Sequence, residues 1–337
     1  LEQNTMVGPL LEAPTWGQDS PWNKYCPVDP STSRSSAVGC GATALAQILS
    51  YYGHPSSVSF SSSDDYVARA RQIHVDATAA SLPEIEYAAT SRHNPSDEVM
   101  AELSFAAGVS LEMDYASAGS GAYAVDIAVA LAGSDLPFTS SRGVHPGVWK
   151  YESARIRTAV NTHWGEPFYE SGDQFYAELE EDVRSGRPVI LCVATAGTQT
   201  GHILICDGVE GSSGRYHLNL GWGGASDGWY ALPQDMPPGY NIVEYGILDI
   251  RPPSGSEADE PETPDRGGAR DPVRTTRSHV LTYPNPFDTV ISFAYTGEMT
   301  NPTLTVSVYD LSGGLIWTGA GEAELKWDGI SADGDRL

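Results

Sequence analysis

Lysine is almost missing from this chain. Of 19 basic residues only Lys24, Lys150 and Lys326 are lysines. None follows a glycine, which excludes the phosphate-binding pattern GxxxxGK(S/T). Acidic residues number 44, and the net charge is −25. No cationic face is therefore expected, and neither nucleic acid nor an anionic membrane is an expected partner. No apolar run reaches the roughly 18 residues that a membrane-crossing helix needs, so no membrane insertion is expected. HExxH is absent and the histidines fall outside ligand spacings, so no metal or organic cofactor is implied. Cysteine is scarce as well: Cys26, Cys40, Cys192 and Cys206, with no CxxC pair. That excludes a zinc ribbon, a thioredoxin-like pair and a disulfide-built scaffold. The chain opens at Leu1 with neither an initiator Met nor a signal-peptide pattern, and reads as a processed, mature form.

What is present is enough for one large core and a smaller second domain: 337 residues, 40% hydrophobic and 9% aromatic. The acidic surface favours a soluble monomer in an extracellular or salt-rich setting. One boundary is visible. Residues 251–278 are rich in Pro, Gly and charge and almost devoid of apolar residues, which is linker composition. The expected domains are thus 1–250 and 279–337.

The first block reads α+β, with helices early and strands late. A helix is expected from Cys40 to about Tyr52, where Leu45, Ile48, Leu49 and Tyr52 recur at helical spacing. Helical patterns follow near 83–91, 97–107, 121–132 and 173–185. Short apolar segments at 188–195, 202–209, 214–220 and 227–231, split by Gly-rich turns, predict an antiparallel sheet. From Tyr283 onward the chain alternates with period two and reads as all β.

Chemistry concentrates on Cys40 and His202. A thiol attacks only as thiolate, and a helix N-terminus or an imidazole can lower its pKa. Cys40 opens a helix between Gly39 and Gly41, glycines that let a substrate approach the backbone. His202 opens a strand, from which its ring can face a cleft. By residue type alone, a small buried Cys and a hydrogen-bonded strand His fit at least as well. The order of Cys on a helix and His on a later strand is nonetheless that of papain-like peptidases.

Four segments carry a resemblance to the streptopain family of papain-like bacterial cysteine peptidases, spanning roughly 10–250. They are Trp16-Gly-Gln-Asp-Ser-Pro-Trp-Asn-Lys-Tyr-Cys-Pro; Ala37-Val-Gly-Cys-Gly-Ala-Thr-Ala-Leu-Ala-Gln-Ile-Leu-Ser-Tyr-Tyr-Gly-His-Pro; Ala107-Gly-Val-Ser-Leu-Glu-Met-Asp-Tyr; and Gly201-His-Ile-Leu-Ile-Cys-Asp-Gly with Tyr216-His-Leu-Asn-Leu-Gly-Trp-Gly-Gly-Ala-Ser-Asp-Gly-Trp-Tyr. The resemblance implies a papain-like fold and peptide hydrolysis through a thioester. Cys40 becomes the nucleophile and His202 the acid/base. Gln18 becomes an oxyanion donor beside the Cys40 N–H. Asn219 and Trp222 orient and shield the imidazole, and Gly201 and Trp222 lie at the substrate. A hydrophobic residue second before the cut is the family's preference. One position departs: the family reads Asn-Trp-Gly-Trp-Gly-Gly, and here Leu220 replaces the first Trp. Less screening of the histidine is expected, unless Trp222 or Trp164 supplies it. His217 matches a non-catalytic position and reads as structural. Cys192 and Cys206 read as free, buried thiols in preference to a cross-strand disulfide.

Gly224-Ala-Ser-Asp-Gly228 fits the serine-hydrolase elbow GxSxG, but a strand pattern follows where the elbow needs a helix. In the tail, Tyr283-Pro-Asn-Pro-Phe, Val306-Ser-Val-Tyr-Asp-Leu-Ser-Gly and Trp327-Asp-Gly-Ile-Ser-Ala-Asp-Gly resemble the FlgD-type Ig-like module. That module is a small β sandwich, here without its last strands. Asp328, Asp333 and Asp335 lack EF-hand spacing. The resemblances together imply a secreted or cell-surface bacterial enzyme acting on proteins or peptides. The tail would contact the secretion machinery or the cell surface. Two alternatives stay open: a catalytically weak adhesin or binding protein, and a transpeptidase on the same scaffold.

Overall fold

A computed structural model describes residues 6–11, 15–87, 95–133, 144–159, 172–195, 201–211, 214–237, 239–254, 279–283, 291–296, 303–309, 315–322 and 324–327. They belong to two compact units, one within Leu1–Pro261 and the other within Glu262–Leu337.

The first unit starts with the short strand β1 (Met6–Val7) and the hairpin β2 (Val28–Asp29) and β3 (Arg34–Ser35). Helix α1 (Cys40–Tyr52) follows, then a second hairpin, β4 (Tyr66–Ala68) and β5 (Ile73–Val75). Helices α2 (Asp97–Ser110) and α3 (Ala124–Ala132) complete the helical half. After β6 (Ser153–Thr158) and α4 (Gly172–Arg184) come β7 (Val189–Ala194), β8 (Gly201–Glu210), β9 (Arg215–Asn219), β10 (Gly228–Tyr230) and β11 (Ile242–Arg251). The strands pair antiparallel in the order β10-β9-β8-β7-β11-β6, with β1 added to β8.

Local chemistry sets the helix ends. Gly53 closes α1 in the left-handed region at φ 60°, and its N–H reaches the Leu49 and Ser50 carbonyls. Ser96 caps α2 by accepting the Val99 N–H, with Asp97 and Glu98 in the first turn, where the helix dipole favours them. Phe175, Leu179 and Val183 recur every fourth residue of α4 and pack with Leu191, Val193, Leu204 and Leu218 of the sheet. The alternate residue Ile203 serves α1: a Cβ added to Gly41 would lie 3.3 Å from its Cδ1. Helices α1 and α4 therefore use alternating residues of the central strands, which buries those strands and explains their unbroken apolar runs.

Helices α1–α4 and strands β7–β10 appear where the patterns put them; strands β1–β6 have no counterpart in those patterns, and two further differences follow. Residues 83–87 are not helical; there Leu82 bridges to Val58 and the Ile85 N–H bonds the Ser56 carbonyl. Pro83 cannot donate a backbone hydrogen bond, and the neighbouring groups pair across the chain instead. Residues 88–91 of that segment lie outside the described residues. The long interior strand β11 has no counterpart in the sequence reading. Its register shifts between Val243 and Tyr245 and between Leu248 and Arg251, so strict alternation is lost. Arg251 belongs to this strand, and 255–278 of the expected linker lie outside the described residues.

The second unit is rich in β structure. β12 (His279–Tyr283), β13 (Ile291–Thr296) and β16 (Glu324–Trp327) form one antiparallel sheet. β14 (Thr303–Tyr309) and β15 (Leu315–Glu322) form a second. Asp328, Asp333 and Asp335 lie outside the described residues. No helix among the described residues is long and apolar enough to cross a membrane.

Candidate active site

Cys40 is the first residue of α1. Gly39 before it takes φ 89°, and a Cβ there would press on Met113 Sδ and the Ser120 carbonyl, each at 2.8 Å. Only glycine fits that approach. The residue as a whole is partly exposed. Backbone N–H groups of Ile203, Gly41 and Cys40 itself bond the sulfur and favour the thiolate. Burial acts the other way and prevails, so the free thiol sits above its ordinary value. The helix start alone thus does not deliver the lowered pKa that the sequence implies. A base must.

His202 is the imidazole placed closest along the chain to that sulfur contact. It is the neighbour of Ile203, whose N–H meets the Cys40 sulfur. The ring is buried, and Nε2 lies 2.8 Å from the Leu220 carbonyl oxygen. A carbonyl only accepts, so Nε2 carries the proton and Nδ1 keeps a lone pair. Burial lowers the His202 pKa, and the Leu220 carbonyl opposes that shift. With Cys40 raised and His202 lowered, the resting pair is biased toward thiol and neutral imidazole. Two aromatic rings lie against the imidazole: Trp222 at 4.8 Å between centroids and Tyr240 at 5.7 Å.

The loop after β9 is built to present that carbonyl. The Leu220 side chain is buried in the core, and its N–H donates to Asp227 Oδ1 at 2.8 Å. Gly221 follows at φ 66°; a Cβ there would come within 2.9 Å of Thr43 Cγ2 on α1. The Gly223 N–H bonds the Trp16 carbonyl at 2.7 Å, tying the loop to the entry segment. Gly221→Ala is accordingly expected to cost about 1–3 kcal/mol, from strain at positive φ and the Thr43 contact. Urea unfolding with an unchanged midpoint would contradict it. Asp227→Ala frees the Leu220 peptide, and kcat is expected to fall by about tenfold, the scale of one hydrogen bond. Steady-state kinetics would read this, and a change confined to KM would contradict it.

The expected residues fall around this centre in different ways. Asn219 Oδ1 takes the Gly221 N–H at 3.0 Å and shapes the turn, while the Leu220 carbonyl takes the His202 Nε2–H. Trp222 does lie on His202, so the loss of the first Trp at Leu220 leaves the ring covered. Trp164 lies outside the described residues. Gln18 is half-buried, and its carbonyl accepts the Val38 N–H at 2.9 Å, two residues before Cys40. Gly201 starts β8 opposite Ala194, exposed, where a Cβ would lie 3.2 Å from the Val193 carbonyl. His217 Nδ1 lies 2.6 Å from Asp207 Oδ1 on β8, and both lie within electrostatic reach of Asp227. Ser226 sits in a turn leading into β10, so the GxSxG match has no elbow.

All four cysteines are free. Cys192 is in register with Ile203 and Cys206 with Val189, so the two are offset along the strands. Burial pushes the Cys26 thiol up to about 12 and holds Cys192 and Cys206 well above their usual value. At pH 7.5 iodoacetamide is therefore expected to modify Cys40 first, by peptide mass mapping; equal rates at all four would contradict a specialised Cys40. Among the described residues no His, Cys, Asp and Glu group could hold a metal ion.

Sequence reasoning missed Asp227 and Tyr240. Asp227 stands in both the GxSxG match and the Tyr216–Tyr230 segment, but neither gave it a role. Tyr240 follows a Pro- and Gly-rich loop with no periodicity to mark it.

The arrangement is a cysteine at a helix start, near a histidine held by a backbone carbonyl at a strand start, on a papain-like α+β scaffold. The Peptidase C10 family model matches residues 16–230, and the chain belongs to that family. Streptopain of Streptococcus pyogenes is 24% identical over 271 residues, covering 70% of this chain and 60% of that protein. This chain therefore spans about 60% of the length of those relatives. The thiol protease/hemagglutinin PrtT of Porphyromonas gingivalis is 29% identical over 271 residues, covering 74% of this chain and 28% of that protein. Among solved structures, active interpain A cysteine protease of Prevotella intermedia superposes with a TM-score of 0.53. It is 24% identical, covering 72% of this chain and 94% of that one, and carries the fold. A prointerpain A fragment from the same organism gives 0.52 at 25% identity, covering 74% and 73%.

Proposed function

We propose that this protein is a bacterial cysteine endopeptidase acting on proteins or peptides. The observation that carries the reading is the His202 tautomer. With Nε2–H spent on Leu220, Nδ1 is left to take the Cys40 proton. The thiolate then attacks the scissile carbonyl carbon, forming the C–S bond. The oxyanion is received by the Cys40 N–H and the Gln18 side chain. His202 gives its proton to the leaving amine as the C–N bond breaks, which leaves a thioester. Water attacks the thioester with His202 as base, the C–S bond breaks, and acid and thiol are released. The two groups titrate as a coupled pair. Asn219 acts through the loop, and Gly201 and Trp222 border the substrate.

The same reading extends to the whole chain. The peptidase occupies 1–250, the segment 251–278 links, and 279–337 is a FlgD-type Ig-like module. Its antiparallel strands support that reading. A secreted or cell-surface, monomeric enzyme fits the acidic surface. The test is digestion of denatured casein under reducing conditions beside Cys40→Ala. Cleavage by the native chain alone is expected; equal cleavage by both would overturn the assignment.

A further inference from the structure

The loop before β11 returns to the site and delivers one aromatic residue. Its end is clamped to the last residue of β7 and the residue after it. The Asn241 N–H bonds the Ala194 carbonyl at 3.0 Å, and the Thr195 hydroxyl bonds the Gly239 carbonyl. Ala194 pairs with Gly201, the residue before His202. Tyr240 is thereby held beside the imidazole. Its ring lies 5.7 Å from the His202 centroid and only 13° from parallel. Gly239 supplies the φ of 97° that turns the loop there.

A ring face within about 6 Å of a cation attracts it. The imidazole is neutral at rest and becomes a cation only when it takes the Cys40 proton. Resting on the peptidase reading for its consequence, we propose that Tyr240 is a positioning residue of the Cys40–His202 pair: its ring face stabilises His202 as imidazolium and so raises the thiolate fraction of Cys40. Trp222 offers a second face at a tilt of 36°. The titratable groups around the pair are Tyr240 itself, Cys192 and Glu244 on the neighbouring strands, and Asp227 behind Leu220. Tyr240 and Cys192 also lie within electrostatic reach of Cys40, so the phenol must stay neutral for the thiolate to form. Burial keeps it so by raising its pKa.

The test reads the thiolate directly and does not need turnover. The rate of Cys40 alkylation by iodoacetamide is measured by mass mapping at pH 6.5 and at pH 10, in the native chain, Tyr240→Leu and Tyr240→Phe. Leucine keeps apolar bulk and removes the π face; phenylalanine keeps the face and removes the hydroxyl. The ratio of the two rates is expected to fall about threefold in Tyr240→Leu and to hold in Tyr240→Phe. A ring that merely fills space would change both rates together and leave the ratio unchanged, which would overturn the proposal. A fall in both variants would also overturn it, by assigning the effect to the hydroxyl. Thermal unfolding of each variant separates a folding defect from either result. Casein digestion by the native chain is scored separately. A shifted ratio without digestion would keep the pairing and sink the peptidase reading; digestion with an unshifted ratio would do the reverse.

Discussion

Replacing His202 by alanine is expected to lower kcat/KM for peptide cleavage by at least about 10⁴-fold. The size follows from the state of the thiol. Burial outweighs the three backbone N–H groups at the sulfur, so the helix start leaves Cys40 protonated at neutral pH. In the proposed mechanism, proton transfer to Nδ1 is the route to nucleophile. Without the imidazole, alkylation of Cys40 should collapse together with cleavage and recover only at alkaline pH. Paired measurements of cleavage and alkylation against pH check this. A His202→Ala chain alkylated at the native rate at neutral pH would mean that the helix terminus suffices, against the pKa argument above.

Gln18→Ala is expected to cost about 10²–10³ in kcat with little change in KM, the scale of one lost oxyanion donor. The residue's backbone is bonded to Val38, and the stretch from Val38 to Cys40 includes the close-packed Gly39. Its position relative to the sulfur is thereby set by main chain. Charge builds on the carbonyl oxygen only in the transition state, so the loss should appear in kcat. Steady-state kinetics on a peptide substrate reads it. A rise in KM at constant kcat would move Gln18 from oxyanion binding to ground-state contact.

The site was legible in the sequence where one residue type has one use. Gly39-Cys40-Gly41 before an Ala- and Leu-rich run marked a helix start that a substrate can approach. Gly201-His202 before an apolar run marked a strand end. The Gly-rich loop marked the turn that holds the histidine, but its working atom is a main-chain oxygen, which no side chain announces. Asn219 drew the assignment because its amide is visible in the sequence, whereas the Leu220 carbonyl is not. In the fold, short apolar runs split by Gly-rich turns exposed β7, β8 and β9. β11 offers no such clean run: its register shifts twice where it pairs with β6 and β7. Tyr240 escaped for a related reason. Its place beside His202 depends on a loop clamped to β7, a contact between segments more than forty residues apart.

The thioester is the intermediate on which the account turns. The direct measurement is intact-mass and peptide mass analysis after brief mixing with an activated peptide ester and an acid quench. The expected result is one acyl group on the peptide carrying Cys40, removed by hydroxylamine and absent from Cys40→Ala. Turnover of the ester with no adduct on Cys40, or an adduct of equal yield on Cys192, would contradict Cys40 as nucleophile.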